Sequence, residues 1–156
     1  MVRDICCEVV QMGNSDIISA VREWLAGCEL LEEIPSGRRH IDWTDAENEN
    51  FGIMPDGDVM LKKFISGGGK RQYNFTLYVN KVSAEDEQRL RNAAFIERLQ
   101  QWCRVQSLNK NLPVLPEGKA ASVVAAENGM LAVISPKVTK WGKYLIQFKM
   151  IYTTSV

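Results

Sequence analysis

Ser66 to Val79 reads SGGGKRQYNFTLYV, three glycines and two cations that lead straight into an alternating run. From Tyr73 onward, Tyr73, Phe75, Leu77 and Val79 fall on one face and Asn74, Thr76, Tyr78 and Asn80 on the other. That is the period-2 signature of a half-buried strand. The run from Asp58 to Ile65 is placed to pair with it across the glycines, which predicts a hairpin with Lys70 and Arg71 thrust out at its end. Gly67, Gly68, Gly69, Lys70 and Arg71 are therefore the candidate interface loop, because a mobile charged tip on a rigid scaffold suits contact with something outside the chain.

On the N-terminal side of this hairpin, Ile17, Ile18, Val21, Trp24, Leu25 and Cys28 recur at helical spacing. They predict an amphipathic helix over 15–28, with Asn14 or Ser15 as its cap and Asp16 in its first turn. Pro35-Ser36-Gly37 breaks the chain before a short strand at Arg38–Trp43, in which His40 and Asp42 share a face. Residues 44–50 are polar and acidic and read as a loop. Phe51 to Met54 reads as a short apolar piece closed by a turn at Pro55-Asp56-Gly57.

On the C-terminal side, Ser83 with Asp86 three residues on marks the start of a long helix running to about Ser107, roughly 36 Å at 1.5 Å per residue. Glu85 with Arg89 and Glu87 with Arg91 suit its exposed side, while Phe95, Leu99, Trp102 and Cys103 line the inner one. Two prolines make NKNLPVLPEG, from Asn109 to Gly118, an extended connector. Asn128-Gly129 is the strongest hairpin signal in the chain, with strands expected at Ser122–Glu127 and Met130–Ile134. The final strand, Lys143 to Thr153, is largely apolar on both faces, so it must be central in its sheet, covered by helices, or covered by another subunit. The order of elements predicts an α+β fold, a mainly antiparallel mixed β-sheet with two amphipathic helices packed on it.

The chain has 156 residues, the length of one domain spanning 1–156, with residues 1–13 as an N-terminal extension. Nineteen basic and nineteen acidic side chains leave no net charge. This removes the long-range attraction expected of a binder of nucleic acid or anionic membrane, and it lowers repulsion between copies. The N-terminal stretch has too short an apolar run for a signal peptide, and no run approaches ~18 apolar residues, so no membrane span is expected. Cys6, Cys7, Cys28 and Cys103, with the one histidine His40, form no zinc spacing and read as reduced thiols in a reducing compartment.

Catalytic signatures are missing. A phosphate loop needs a glycine where Phe64 stands and Ser or Thr where Arg71 stands. His40 with Asp42 has no nucleophile beside it, and the acids Asp45, Glu47 and Glu49 lack the glycine and terminal glutamate of a calcium loop. No catalytic, metal or cofactor residue is assigned, and the chain is not expected to be an enzyme.

The opening helix, KRQYNFTLYV, the helix and connector FIERLQQWCRVQSLNKNLPVLPEGK, and the closing strand KYLIQFKMIY occur in this order. Together they resemble the tail terminators of long-tailed phages and phage-tail-like particles, proteins also labelled minor capsid or tail-completion proteins. The resemblance runs from about Asp16 to Tyr152, and its most specific pieces are Arg71-Gln72-Tyr73-Asn74-Phe75 and Asn111-Leu112-Pro113-Val114-Leu115-Pro116-Glu117-Gly118. It implies a tail-terminator-like fold and a homo-oligomeric, hexameric ring that caps the finished tail tube, stops addition of tube protein and presents a surface to the neck or head. The implied partners are tail tube protein and a neck, connector or sheath protein, and the implied location is the virion tail end after assembly in the bacterial cytoplasm. A head–tail connector or other neck protein is the alternative, and a small enzyme is the alternative of a different class.

Overall fold

The computed structural model describes residues 16–32, 39–41, 50–82, 86–134 and 141–155. In chain order the elements are α1 (Ile17–Ala26), α2 (Glu29–Glu32), β1 (Arg39–Ile41), β2 (Asn50–Lys63), β3 (Gly69–Val82), α3 (Asp86–Leu108), β4 (Lys119–Ile134) and β5 (Trp141–Thr154). The strands form one sheet in the order β1-β2-β3-β5-β4. β1 is parallel to β2, and the other neighbours are antiparallel. The α+β class with helices on a mainly antiparallel sheet is as expected.

Register explains the core. β3 and β5 are opposed without a break, so Tyr73 meets Met150, Phe75 meets Phe148, Leu77 meets Ile146 and Val79 meets Tyr144. Directly opposed residues share a face, and all eight are buried. Phe75 and Phe148 stack with ring centroids 4.9 Å apart. Val21 and Leu25 of α1, Leu31 of α2 and Phe95, Leu99 and Cys103 of α3 bury their side chains in the same core. The helices therefore cover one face of the sheet. β5 is central, flanked by β3 and β4, the first of the three situations its two apolar faces allowed.

Both strong turn signals turn out to lie inside strands. Pro55-Asp56-Gly57 is part of β2, where the register against β3 shifts between Pro55 and Gly57. Asn128-Gly129 is part of β4, where the register against β5 shifts between Ala126 and Gly129. Each is a β-bulge: an extra residue bends the strand while pairing resumes on either side. Gly129 serves packing as well, since a Cβ there would come 2.2 Å from Cγ2 of Ile96 on α3.

The first helix is capped by Asp16 rather than by the expected Asn14 or Ser15. Its Oδ1 accepts from the Ser19 N–H at 2.8 Å, and hydrogen bonding from the Ser19 side chain, followed by that N–H, holds the Asp16 carboxyl below the usual carboxylate range. Trp24 and Trp102 are half-buried between α1 and α3, with centroids 4.8 Å apart, and the Trp24 indole N–H donates to the Asn111 carbonyl at 2.8 Å. The connector is thereby tied to α1. Residues 1–13, Cys6, Cys7, Asp42, Trp43, the acids Asp45, Glu47 and Glu49, and the helix start at Ser83–Glu85 lie outside the described residues.

Candidate interaction surface

The hairpin expected around the three glycines is present, but its boundaries differ. Lys63 pairs with Gly69, so the turn is Phe64 to Gly68. Gly67 and Gly68 sit in that turn, whereas Gly69, Lys70 and Arg71 are the first residues of β3. Lys70 and Arg71 are thus strand residues with partners on both sides, opposite Thr153 and Tyr152 of β5, and do not stand free at the tip. The tip residue is Ile65, fully exposed.

The turn is closed by Gly67 N–H donating to the Phe64 carbonyl and Phe64 N–H donating to the Gly68 carbonyl, each at 3.2 Å. Gly68 has φ 73°, and a Cβ on it would lie 2.0 Å from the Thr154 carbonyl oxygen. The left-handed dihedral and the close approach both call for glycine. Behind the turn, Asp58 ties three strands together. Its Oδ1 accepts from Arg71 Nε at 2.9 Å, and its Oδ2 accepts from the Tyr152 hydroxyl at 2.6 Å. Burial, with the Asp58 carboxylate, pushes the Tyr152 phenol up to about 12. The hairpin end is a braced corner of the sheet.

Apolar side chains stand out on this corner. Val59 is 52% exposed and Leu61 49%, with Met60 exposed between them. β1 pairs only with Phe51 to Ile53, so among the described residues no strand flanks Met54 to Lys63 of β2 on the side away from β3. Bare strand edges next to exposed apolar groups are templates for further contacts. The chain's charges there balance, Asp56 and Asp58 against Lys62 and Lys63.

The opposite edge, β4, is finished differently. Val124 N–H donates to Ser107 Oγ at 3.0 Å, while the Ser107 hydroxyl at 2.6 Å and the Cys103 thiol at 3.3 Å donate to the Val124 carbonyl. Gln100 Nε2 donates to the Glu127 carbonyl at 3.1 Å. Side chains of α3 therefore occupy backbone groups that a further strand would use. Burial raises the Cys103 thiol to about 12, so it stays protonated. Between α3 and β4 runs a groove of about 520 Å³ lined by Arg104, Leu108, Val123, Ala125 and Ala126 among others.

The sheet face turned away from the helices is polar. Thr76 Oγ1 donates to the Asp56 carboxylate, Gln72 Nε2 to Asn74 at 2.9 Å, and Lys149 Nζ meets Glu127 at 3.1 Å. These groups satisfy one another along a shallow concavity. Among the described residues no group of three or more His, Cys, Asp or Glu is placed to hold a metal ion, and no helix is long and apolar enough to cross a membrane.

No protein-family model matches the chain, and no curated protein matches its sequence. Sequence reasoning found the hairpin and held Val59, Met60 and Leu61 within its expected strand without marking them as exposed, while a turn read at Pro55-Asp56-Gly57 split β2 in two. It also missed the groove. The signal available was the length of β5: an unbroken interior strand of 14 residues is matched by neighbours as long as itself, and only a continuous β3 and a continuous β4 supply them.

Proposed function

We propose that this chain is a structural protein of a long-tailed phage or phage-tail-like particle, a tail terminator. Copies of it form a hexameric ring on the end of the tail tube, end tube polymerisation and offer the neck or head its attachment surface. The observation that carries this reading is the braced hairpin corner, apolar at Val59, Met60 and Leu61 and left without a neighbouring strand among the described residues. A ring protein needs a preformed contact surface of this kind, and rigidity lowers the ordering cost of assembly. The resemblance carried by KRQYNF and NLPVLPEG points to the tube end as the place of assembly. The virion tail end is then its location and tube protein its partner.

The test is assembly with the tube protein of the same gene cluster, viewed by electron microscopy. Tubes of uniform length with a six-fold ring at one end are expected, and tubes made without this chain should run overlong. Tubes of the same length with and without it, or a ring seated elsewhere than the tube end, would overturn the reading.

A further inference from the structure

We infer that a second groove, between the helices and the connector, holds an arginine side chain of a partner protein, stacked on Trp24 and Trp102 and paired with Glu23 and Glu29. This surface goes beyond the ring reading and does not rest on it. The groove has a volume of about 410 Å³. Its walls are α1 with Glu23 and Trp24, Glu29 at the start of α2, Trp102 of α3 and the connector from Asn111 to Val114.

Three observations give the occupant a positive charge. Glu23 and Glu29 are exposed, and among the described residues neither carboxylate takes part in an ion pair or a hydrogen bond. The described lining holds no Lys, Arg or His, since Arg22 and Arg98 stand near in sequence but outside it. Second, two half-buried indoles line the same space, and the faces of aromatic rings draw cations. The Trp24 N–H is already engaged by the Asn111 carbonyl, which fixes that ring and leaves its face for recognition. Third, α1 ends here, with Gly27 as its cap and no basic residue in its last turn. The C-terminal end of this ten-residue helix carries partial negative charge that favours a cation.

Of the two cationic side chains, arginine matches this set. Its planar guanidinium lies flat on an indole while its edge forks to carboxylates, whereas a lysine ammonium is a compact point charge. Leu112 and Val114 offer an apolar wall to the aliphatic stem. Val114 is 71% exposed at this groove, so a residue flanking the arginine in a polypeptide has apolar surface to cover, which free arginine would leave bare.

The test titrates the full chain with the peptide acetyl-Ala-Arg-Ala-amide and with its lysine and citrulline counterparts, following the indole N–H signals of Trp24 and Trp102 by NMR. Citrulline keeps the shape of arginine and removes its charge. The arginine peptide should shift both signals saturably, with an affinity about ten-fold above that of the citrulline peptide and about three-fold above that of the lysine peptide. Glu23→Gln/Glu29→Gln should weaken it about five-fold while melting with the parent, because both acids are exposed. Glu87→Gln/Glu97→Gln, exposed on α3 and outside the lining, makes the same change in net charge and should bind as the parent does. The preference for arginine over citrulline in the parent stands as a test independent of any variant. No saturable shift, equal affinity for the arginine and citrulline peptides, or equal weakening by the two double variants overturns the inference. Lysine bound as tightly as arginine overturns the guanidinium assignment. Shifts of the same two signals with protein concentration alone would place a second copy in the groove and overturn the assignment to a separate partner.

Discussion

The edge formed by β4 and the edge formed by the outer half of β2 border the same sheet, yet they meet solvent in opposite ways. At β4 the amide and carbonyl of Val124 are both bonded to Ser107, the thiol of Cys103 shares the carbonyl, and Gln100 takes the carbonyl of Glu127. At β2 the backbone from Met54 to Lys63 has no strand on its outer side among the described residues, and Val59, Met60 and Leu61 face water. Exposed strand edges invite association. A chain that shields one edge with helix side chains and leaves the other apolar restricts where association takes place. An asymmetry of this kind, more than the stickiness of either surface, would decide where association takes place.

Removing the support of the shielded edge should break the asymmetry outright. Leu99 is fully buried on α3, next to Gln100 and one turn before Cys103. Leu99→Ala should lower unfolding free energy by about 2–5 kcal/mol, read by denaturant titration. An unchanged midpoint would mean that α3 is not held by this face. Ser107→Ala makes a narrower cut: it leaves the Val124 amide without its partner, at a cost of about 1–3 kcal/mol. It should also make the β4 edge adhesive, seen as concentration-dependent light scattering absent from the parent. Stability and scattering both unchanged would show that Ser107 does not guard the edge.

The bare side is probed by pH. Tyr152 and Cys103 are neutral when protonated, and burial raises both to about 12. Their ordinary values are ~10 and ~8.5, so the unfolded chain ionises first. Stability should be intact below those ordinary values and fall as pH rises toward about 12. Tyr152→Phe removes the hydroxyl that braces Asp58 and should flatten the part of this loss above pH ~10, leaving the Cys103 part. Identical alkaline melting curves for the two proteins would argue that the phenol does not hold the corner.

Much of this was legible because it rests on short-range pattern. Alternation at Tyr73–Val79 and Tyr144–Tyr152 identified the two central strands, and the spacing of Phe95, Leu99 and Cys103 identified the inner face of α3. What escaped was set by long-range pairing. Asn128-Gly129 has turn chemistry, but β5 lies alongside both of its flanks and keeps them in one strand. Pro55-Asp56-Gly57 is held the same way by β3. Lys70 and Arg71 looked free because sequence shows the glycines before them and not Tyr152 and Thr153 opposite. The Ser107 bond to Val124 joins residues with no local signal between them.

The position of β5 bears on how the chain is born. β3 and β4 both precede β5 during synthesis, and each reserves a full-length side for it. Until Trp141–Thr154 emerges, the nascent sheet is two halves with a missing rung, and every rung that β3 awaits is remote in sequence. Such high contact order places folding toward milliseconds to seconds rather than microseconds. In the finished fold the α3 side chains hold the outer side of β4, which leaves its inner side as the place where β5 pairs. The helix that shields the edge thus also leaves the last strand a single place beside β4.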